Sequence, residues 1–140
     1  MLNQEEIKKI IPHRDNMLFL TRVLELEAGV RCVAEMCLTG DEWFFKGHFP
    51  GMPVLPGVIT MEALAQAGAV AVLSMPQFAG KTGLFAGIDK ARFKEKIFPG
   101  DTVLLEVEVI KIRGPIGVGK ATAYVRDKRA AYGELTFAIS

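Results

Sequence analysis

A pair of proton-transfer residues is the first chemistry that this sequence suggests. Between Lys46 and Lys81 the chain has one charged residue, Glu62, although 24% of all its residues are charged. His48 is the other titratable residue there, since the interval contains no cysteine or tyrosine. Burial disfavours ionised forms, so a neutral imidazole could act as a base beside a protonated carboxylic acid. The alternative is that both groups only make structural hydrogen bonds.

A predicted helix supplies the rest of such a site. Residues 57–75 are apolar on nearly every side, which predicts a buried helix that begins near Gly57 and ends before Pro76. The first amides of a helix lack partners and its N-terminus carries partial positive charge, so a developing oxyanion could bind at Gly57. Gln66 follows Glu62 by four residues and is expected on the same helix face.

The other elements predict an α+β domain with a mostly antiparallel sheet. Asn3 and Glu6 match a capping box before a short helix that Pro12 ends. Apolar alternation and turn residues predict strands at 17–26, 30–38, 83–97, 102–112, 117–126 and 130–139. Because no helical pattern separates the last four, chain neighbours among them are expected to pair antiparallel. Residues 1–140 are therefore expected to form a single domain, a sheet curled around one apolar helix.

Composition argues against several classes of protein. Half of the residues are hydrophobic, which excludes intrinsic disorder. The 17 basic and 16 acidic residues nearly balance, which argues against a nucleic-acid-binding protein. Trp43-Phe44-Phe45 is accordingly interpreted as packing or interface rather than as a base-stacking platform. The most apolar stretch, residues 54–75, contains polar residues and predicts a buried helix rather than a membrane span.

The cysteines and the N-terminus favour a cytoplasmic protein. Cys32 and Cys37 lie five residues apart on a predicted strand, so they are expected on opposite faces as free thiols. The N-terminal residues show no basic region followed by an apolar run, and so no secretory signal is expected. The two histidines have no metal-binding spacing, and no metal site is expected.

Four stretches of the sequence match the motifs of one known protein family. The string GHFPGMPVLPGVITMEALAQ at 47–66 is similar to the family signature. Further matches are IPHR at 11–14, FAGIDKARF at 85–93 and PGD at 99–101. By these motifs the chain resembles the bacterial 3-hydroxyacyl-acyl-carrier-protein dehydratases of fatty acid synthesis. The resemblance covers nearly the whole chain in family order and implies the hot-dog fold.

The resemblance also implies a reaction and the residues that perform it. His48 would be the base that removes a proton from Cα, and Glu62 would protonate or orient the departing hydroxyl. The amides of Gly57 and Val58 would hold the thioester carbonyl, with Gln66 behind Glu62. An acyl tunnel is implied, and we expect it to be lined by Phe49, Val54, Phe85 and Ala86. No metal or organic cofactor is needed for this chemistry.

The partners that the resemblance implies are an acyl carrier protein and further copies of the chain. Family members form homodimers whose site joins the His of one subunit to the Glu of the other, and three dimers commonly form a hexamer. Four cations alternate along the strand predicted at 83–97, and they are expected on one face. This face, either merely solvated or a dock for the acidic carrier, consists of Lys90, Arg92, Lys94 and Lys96.

Two departures from the family pattern leave local features open. Asp15-Asn16-Met17 follows the IPHR stretch where relatives usually have an aromatic residue and proline. Leu84 stands where relatives often have a gating tyrosine, so no tyrosine gate is expected. His13 has no evident acid partner in the sequence and is expected to be structural or at the pocket rim.

Three other functions remain possible from the sequence. A dehydratase that also isomerises its product to cis-3-enoyl chains would keep both His48 and Glu62. A hot-dog thioesterase would use the helix carboxylate to activate water and would not require His48. A non-catalytic acyl-binding module would need neither residue, and the presence of both counts against it.

Overall fold

The computed structural model describes residues 1–140 and consists of one six-stranded antiparallel sheet and one long helix. The helices are α1 (Gln4–Ile7) and α2 (Gly57–Leu73). The strands are β1 (Arg22–Glu27), β2 (Arg31–Cys37), β3 (Gly83–Phe93), β4 (Thr102–Arg113), β5 (Ile116–Val125) and β6 (Lys128–Ile139). Their order in the sheet is β1-β2-β4-β5-β6-β3, which makes β1 and β3 the edge strands.

The sheet packs around α2, as the apolar run predicted. Of the 17 residues of this helix, 14 are buried, and its contacts are mainly with β4, β2 and β5. Gly68 permits the close approach, because a Cβ there would lie 2.6 Å from Cζ of Phe137. No helix of this structure is long and apolar enough to cross a membrane. The buried polar residues of α2 are Thr60 and Gln66.

The N-terminal strand begins later than predicted. A 3-10 turn occupies Asp15–Met17, and β1 starts at Arg22 rather than near residue 17. Between the turn and the strand, the Phe19 amide donates to the side chain of Gln66, and only the Thr21 amide donates to β2, at the Glu35 carbonyl. The predicted short helix α1 is present with both hydrogen bonds of its capping box.

The predicted pairing of β3 with its chain neighbour β4 is wrong. β4, β5 and β6 pair in chain order, but β3 crosses to the far edge and pairs with β6. The strand also ends at Phe93 rather than at residue 97. A bulge between Asp89 and Arg92 interrupts it, and Lys90 has a positive φ of 56°.

The four cations near β3 consequently do not share one strand face, and that prediction is also wrong. Lys90 lies in the bulge and Arg92 directly follows it, while Lys94 and Lys96 lie beyond the end of the strand. All four side chains are exposed. Lys90 lies 3.8 Å from Glu134, so part of its charge is compensated.

The two cysteines lie in different environments on β2. Cys32 is buried in the core and Cys37 is half-buried, and both are free thiols. Burial raises the pKa of Cys32 to about 12, which makes this thiol unreactive.

The irregular segment between β2 and α2 is organised by Glu42. Its carboxylate accepts hydrogen bonds from the amides of Thr39 and Gly40, at 3.0 and 2.9 Å, and from the Thr39 hydroxyl. Burial alone would raise the pKa of Glu42, but these hydrogen bonds outweigh it and lower the pKa. The ionised carboxylate therefore stabilises the start of the segment that later carries His48.

We expect Glu42→Gln to lower the free energy of unfolding at pH 7 by about 1–2 kcal/mol, because an amide accepts these bonds less strongly. A carboxyl whose pKa is lowered on folding stabilises the protein above its unfolded pKa and loses that contribution as the pH falls. The difference from wild type should therefore shrink between about pH 5 and pH 3. Urea denaturation of both proteins at several pH values measures this difference in the free energy of unfolding. Asp41→Asn is the matched control, and an equal loss in both variants would contradict this role.

Candidate active site

The side chain of Glu62 lines an apolar cleft on one side of α2. The cleft has a volume of about 340 Å³ and is lined by residues that precede β1 and by the start of β3. Its walls include His13, Met17, Leu84 and Phe85, and Glu62 supplies the one carboxyl group. The structure places no group of three or more His, Cys, Asp or Glu side chains where they could hold a metal ion. Glu62 is the carboxylic acid that this cleft offers for proton transfer.

Gln66 holds Glu62 through a fully satisfied amide. Its side chain is 0% exposed, and its Nε2 donates to the Met17 carbonyl at 2.7 Å and to Oε2 of Glu62 at 3.0 Å. Its Oε1 accepts from the Phe19 amide at 2.9 Å. Because a backbone amide can only donate and a carbonyl can only accept, the orientation of Gln66 is fixed. Glu62 Oε1 has no hydrogen-bond partner in the protein, in contrast to Oε2.

His48 lies on the irregular segment and is half-buried. Its Nδ1 is 3.0 Å from the Val54 carbonyl oxygen, and its ring stacks on Phe49 with centroids 4.0 Å apart. A carbonyl accepts only, so Nδ1 carries the proton and the Nε2 lone pair is free in the neutral ring. This tautomer is the one that a general base requires.

The N-terminus of α2 presents two free amides. Pro56 precedes the helix without a side-chain cap, and its carbonyl accepts from Ile59 and Thr60. The amides of Gly57 and Val58 have no acceptor in the protein. A Cβ at Gly57 would lie 2.8 Å from the Phe93 ring, so glycine lets that ring cover the helix start. Such a terminus can stabilise negative charge on an oxygen.

The structure does not gather all the predicted residues within one chain. Phe85 lines the Glu62 cleft, whereas Val54 lines a second cavity, of about 290 Å³, together with Gly57. Phe49 borders a third cavity, of about 540 Å³, on the irregular segment. His48 does not line the Glu62 cleft, and Ala86 is exposed on β3.

His13 lines the Glu62 cleft, in agreement with the expected place at the pocket rim, but the sequence interpretation missed its acid partner. The expectation that it lacks an acid partner is wrong, because its Nε2 lies 3.4 Å from Oε2 of Glu62. The two residues are far apart in the chain, and only the IPHR match pointed to this stretch. Phe44 and Phe45 are buried, as expected for packing residues, but Trp43 is 55% exposed and its Nε1 donates to the Asn16 carbonyl.

Comparison with known proteins gives the family. Residues 11–134 match the FabA-like domain. The chain is 55% identical to the 3-hydroxyacyl-acyl-carrier-protein dehydratase FabZ of Desulforamulus reducens, over 99% of this chain and 98% of that protein. The protein of the same name from Enterococcus faecalis is also 55% identical, over 96% and 95% of the two chains. The chain belongs to the 3-hydroxyacyl-acyl-carrier-protein dehydratase family.

Solved structures show the fold of this dehydratase family member. The dehydratase heterocomplex ApeI:P of Xenorhabdus doucetiae superposes with a TM-score of 0.78 at 16% identity, over 96% of this chain and 90% of that chain. A sigma28-regulated virulence protein of Campylobacter jejuni gives 0.74 at 13% identity, over 97% and 89%. At such identities the likeness concerns the fold alone, and the fold is the α+β hot-dog fold.

Both departures from the dehydratase pattern lie beside Glu62. Leu84 is 57% exposed and lines the cleft, so an aliphatic side chain stands where a tyrosine gate is common. The 3-10 turn Asp15–Met17 ends in the carbonyl that accepts from Gln66. The altered stretch therefore still supports the helix carboxyl.

Proposed function

We propose that the protein is a hydro-lyase that dehydrates 3-hydroxyacyl-acyl-carrier-protein to the trans-2-enoyl form in fatty acid synthesis. Residues 1–140 would act as one dehydratase domain. The proposal rests on one observation, which is that Glu62 and His48 each have an atom free to transfer a proton. Glu62 has one carboxyl oxygen free in an apolar cleft, and His48 has a free Nε2 lone pair. The full-length identity to proteins named FabZ supports the same reaction.

The reaction needs a base, an acid and an oxyanion site. Nε2 of His48 takes the proton from Cα, and the resulting enolate charge on the thioester oxygen is held by the amides of Gly57 and Val58. Glu62 gives its proton to the C3 hydroxyl, the C3–O bond breaks, and water leaves as the Cα–C3 double bond forms. The proton on His48 then returns to Glu62 through water, which restores both groups without a cofactor.

The separation of His48 from the Glu62 cleft within one chain supports a site shared by two protomers. β3 is an edge strand of 11 residues, and its exposed side chains include Leu84, Ile88 and Phe93. The other edge is partly covered, because Leu2 bridges to Val23 of β1. Since a long apolar edge favours pairing with another strand, we infer a homodimer joined along β3.

A trimer of such dimers is the assembly that we propose. Trp43, Phe49 and Met52 are exposed apolar side chains on the irregular segment between β2 and α2. They provide a second apolar surface through which dimers could associate into a hexamer. We further propose that the protein is cytoplasmic, which its free thiols support.

The acyl chain would arrive on an acidic carrier protein that docks at the cations near β3. Lys96 lines the same cavity as Gly57 and Phe93, which brings positive charge close to the proposed oxyanion site. Lys90, Arg92 and Lys94 are exposed nearby in the chain. Electrostatic attraction of this kind acts mainly on association and is screened over about 8–10 Å at physiological salt.

Reversing two of these charges, as Arg92→Glu with Lys94→Glu, is expected to raise KM for carrier-linked substrate about tenfold. A small thioester analogue should be turned over almost unchanged, because the proposed reacting groups are untouched. Added salt should raise the KM of the wild-type protein for carrier-linked substrate. The difference in KM between the wild type and the variant should therefore become smaller. Steady-state kinetics on both substrates measures the effect.

The matched control for the charge reversal is Lys111→Glu with Arg113→Glu, two exposed cations on β4. It should leave both KM values near wild type. Equal losses on both substrates in the β3 variant would mean damage to the fold or tunnel. No loss on either would mean that these cations are merely solvated, and docking would then be sought at Lys46, Lys81 or Arg14.

Product analysis tests the reaction against its alternatives. Purified protein is incubated with 3-hydroxyacyl and trans-2-enoyl thioesters, and products are identified by mass and by double-bond position. We expect trans-2-enoyl product from the first substrate. A cis-3-enoyl product would indicate the isomerising dehydratase, and a free acid would indicate a thioesterase. If neither substrate is converted, the non-catalytic acyl-binding module is the alternative that remains.

A further inference from the structure

We propose that His13 is a positioning residue that, with Gln66, directs the transferable proton of Glu62 to Oε1. This inference rests on the proposed function, in which Glu62 is the acid. His13 lines the cleft, but it would act on the reaction through Glu62 rather than on the reacting atoms of the substrate. It would thereby decide which carboxyl oxygen can protonate the departing hydroxyl.

Two nitrogen atoms converge on the same oxygen of Glu62. Nε2 of His13 lies 3.4 Å from Oε2, and Nε2 of Gln66 donates to Oε2 at 3.0 Å. The other oxygen, Oε1, has no hydrogen-bond partner in the protein. A carboxylic acid proton on Oε2 would face these donors, so the protonated form of Glu62 is expected to carry its hydrogen on Oε1.

The surroundings of the His13 ring select one tautomer. Nδ1 of His13 is buried without any hydrogen-bond partner. A proton on Nδ1 would bury an N–H group with no acceptor, which disfavours both the imidazolium and the Nδ1–H tautomer. The neutral ring therefore has its hydrogen on Nε2, the atom that faces Glu62.

A neutral donor suits an acid that must change its protonation state. An imidazolium beside Oε2 would favour the carboxylate and oppose reprotonation of Glu62 after each turnover. The neighbouring cation, Arg14, is directed elsewhere, since its guanidinium donates to the carbonyls of Lys8, Ile11 and His13. These bonds also fix the turn that carries His13. The position of the imidazole is thus set by the backbone around it.

Kinetics of two variants separate positioning from packing. His13→Gln can keep a donor near the place of Nε2, whereas His13→Leu keeps bulk without a donor. We expect His13→Leu to lower kcat about tenfold with KM nearly unchanged, and His13→Gln to recover most of that loss. In a protein that already carries Glu62→Gln, adding His13→Leu should not lower kcat any further. Equal losses in the Leu and Gln variants, or a loss confined to KM, would overturn the inference.

A spectroscopic test does not depend on turnover. The chain has two histidines, so ¹⁵N NMR signals of the imidazoles can be assigned with His48→Ala. At pH 7 we expect the His13 ring to be neutral with hydrogen on Nε2. An imidazolium or an Nδ1–H ring would overturn the inference, whatever the activity.

The two tests together separate this inference from the proposed function. A wild-type protein without dehydratase activity, but with the Nε2–H ring at His13, would reject the proposed function and with it the catalytic part of this inference. Dehydration by wild type at a rate that His13→Leu leaves unchanged would reject the inference alone.

Discussion

His48→Ala and Glu62→Gln are each expected to lower kcat by two orders of magnitude or more. General acid–base groups contribute roughly 10²–10⁴-fold, and each variant removes one such group from the proposed proton transfers. KM should change less, because apolar residues of the cleft such as Leu84 and Phe85 would provide most of the contacts with the acyl chain. Turnover of a 3-hydroxyacyl thioester, followed by formation of the enoyl product, measures both constants.

Both variants should remain folded. His48 makes one side-chain hydrogen bond, to Val54, and the glutamine at position 62 can still accept from Gln66. Thermal unfolding and the elution volume on size exclusion check this. Glu108→Gln, which neutralises an exposed carboxylate on β4, is the matched control and should keep full activity. If either site variant retained more than a tenth of wild-type turnover, the role given to that residue would be wrong.

Mixing the two inactive variants is expected to restore activity. In a hybrid dimer of His48→Ala and Glu62→Gln, one of the two shared sites receives both wild-type residues and the other receives neither. With random exchange half of the dimers are hybrids, so about a quarter of the wild-type activity per site should return. The restored activity should grow at the rate of subunit exchange, which differently tagged chains report.

If mixing the two variants restores no activity, the active site is formed within one chain. Once exchange has been confirmed by co-purification of the two tags, an inactive mixture would mean that His48 and Glu62 of the same chain must act together. The arrangement within one protomer argues against that, because His48 does not line the cleft of Glu62. Mixing each variant with itself provides the control and should restore nothing.

The local elements of this fold could be predicted from the sequence. The apolar run between Gly57 and Pro76 fixes α2 to within two residues at its end, because proline and glycine mark the limits of the helix. The alternation of Val103, Leu105, Val107 and Val109 in the predicted strand at 102–112 gives the inner face of β4, on which the first three are buried and Val109 is half-buried. Both patterns depend only on neighbours along the chain.

Features that join distant parts of the chain were not predictable in the same way. The pairing of β3 with β6 follows from how the sheet closes around α2, and no local pattern encodes it. The bulge at Lys90 breaks an alternation that looked continuous. The contact of His13 with Glu62 arises because the turn before β1 folds over the helix, where Met17 and Phe19 bond to Gln66. Tertiary hydrogen bonds override the strand propensity of that stretch.

Exchange at Cα is the measurement that tests the central claim most directly. Acyl carrier protein loaded with a 3-hydroxyacyl chain is incubated with the wild-type dehydratase in D₂O. The acyl chains are then analysed by mass spectrometry. Removal of the Cα proton by His48 and loss of the hydroxyl through Glu62 predict trans-2-enoyl chains. Because rehydration reverses the reaction, recovered 3-hydroxyacyl chains should also carry deuterium at Cα. Chains recovered without deuterium and without any enoyl product would contradict the account.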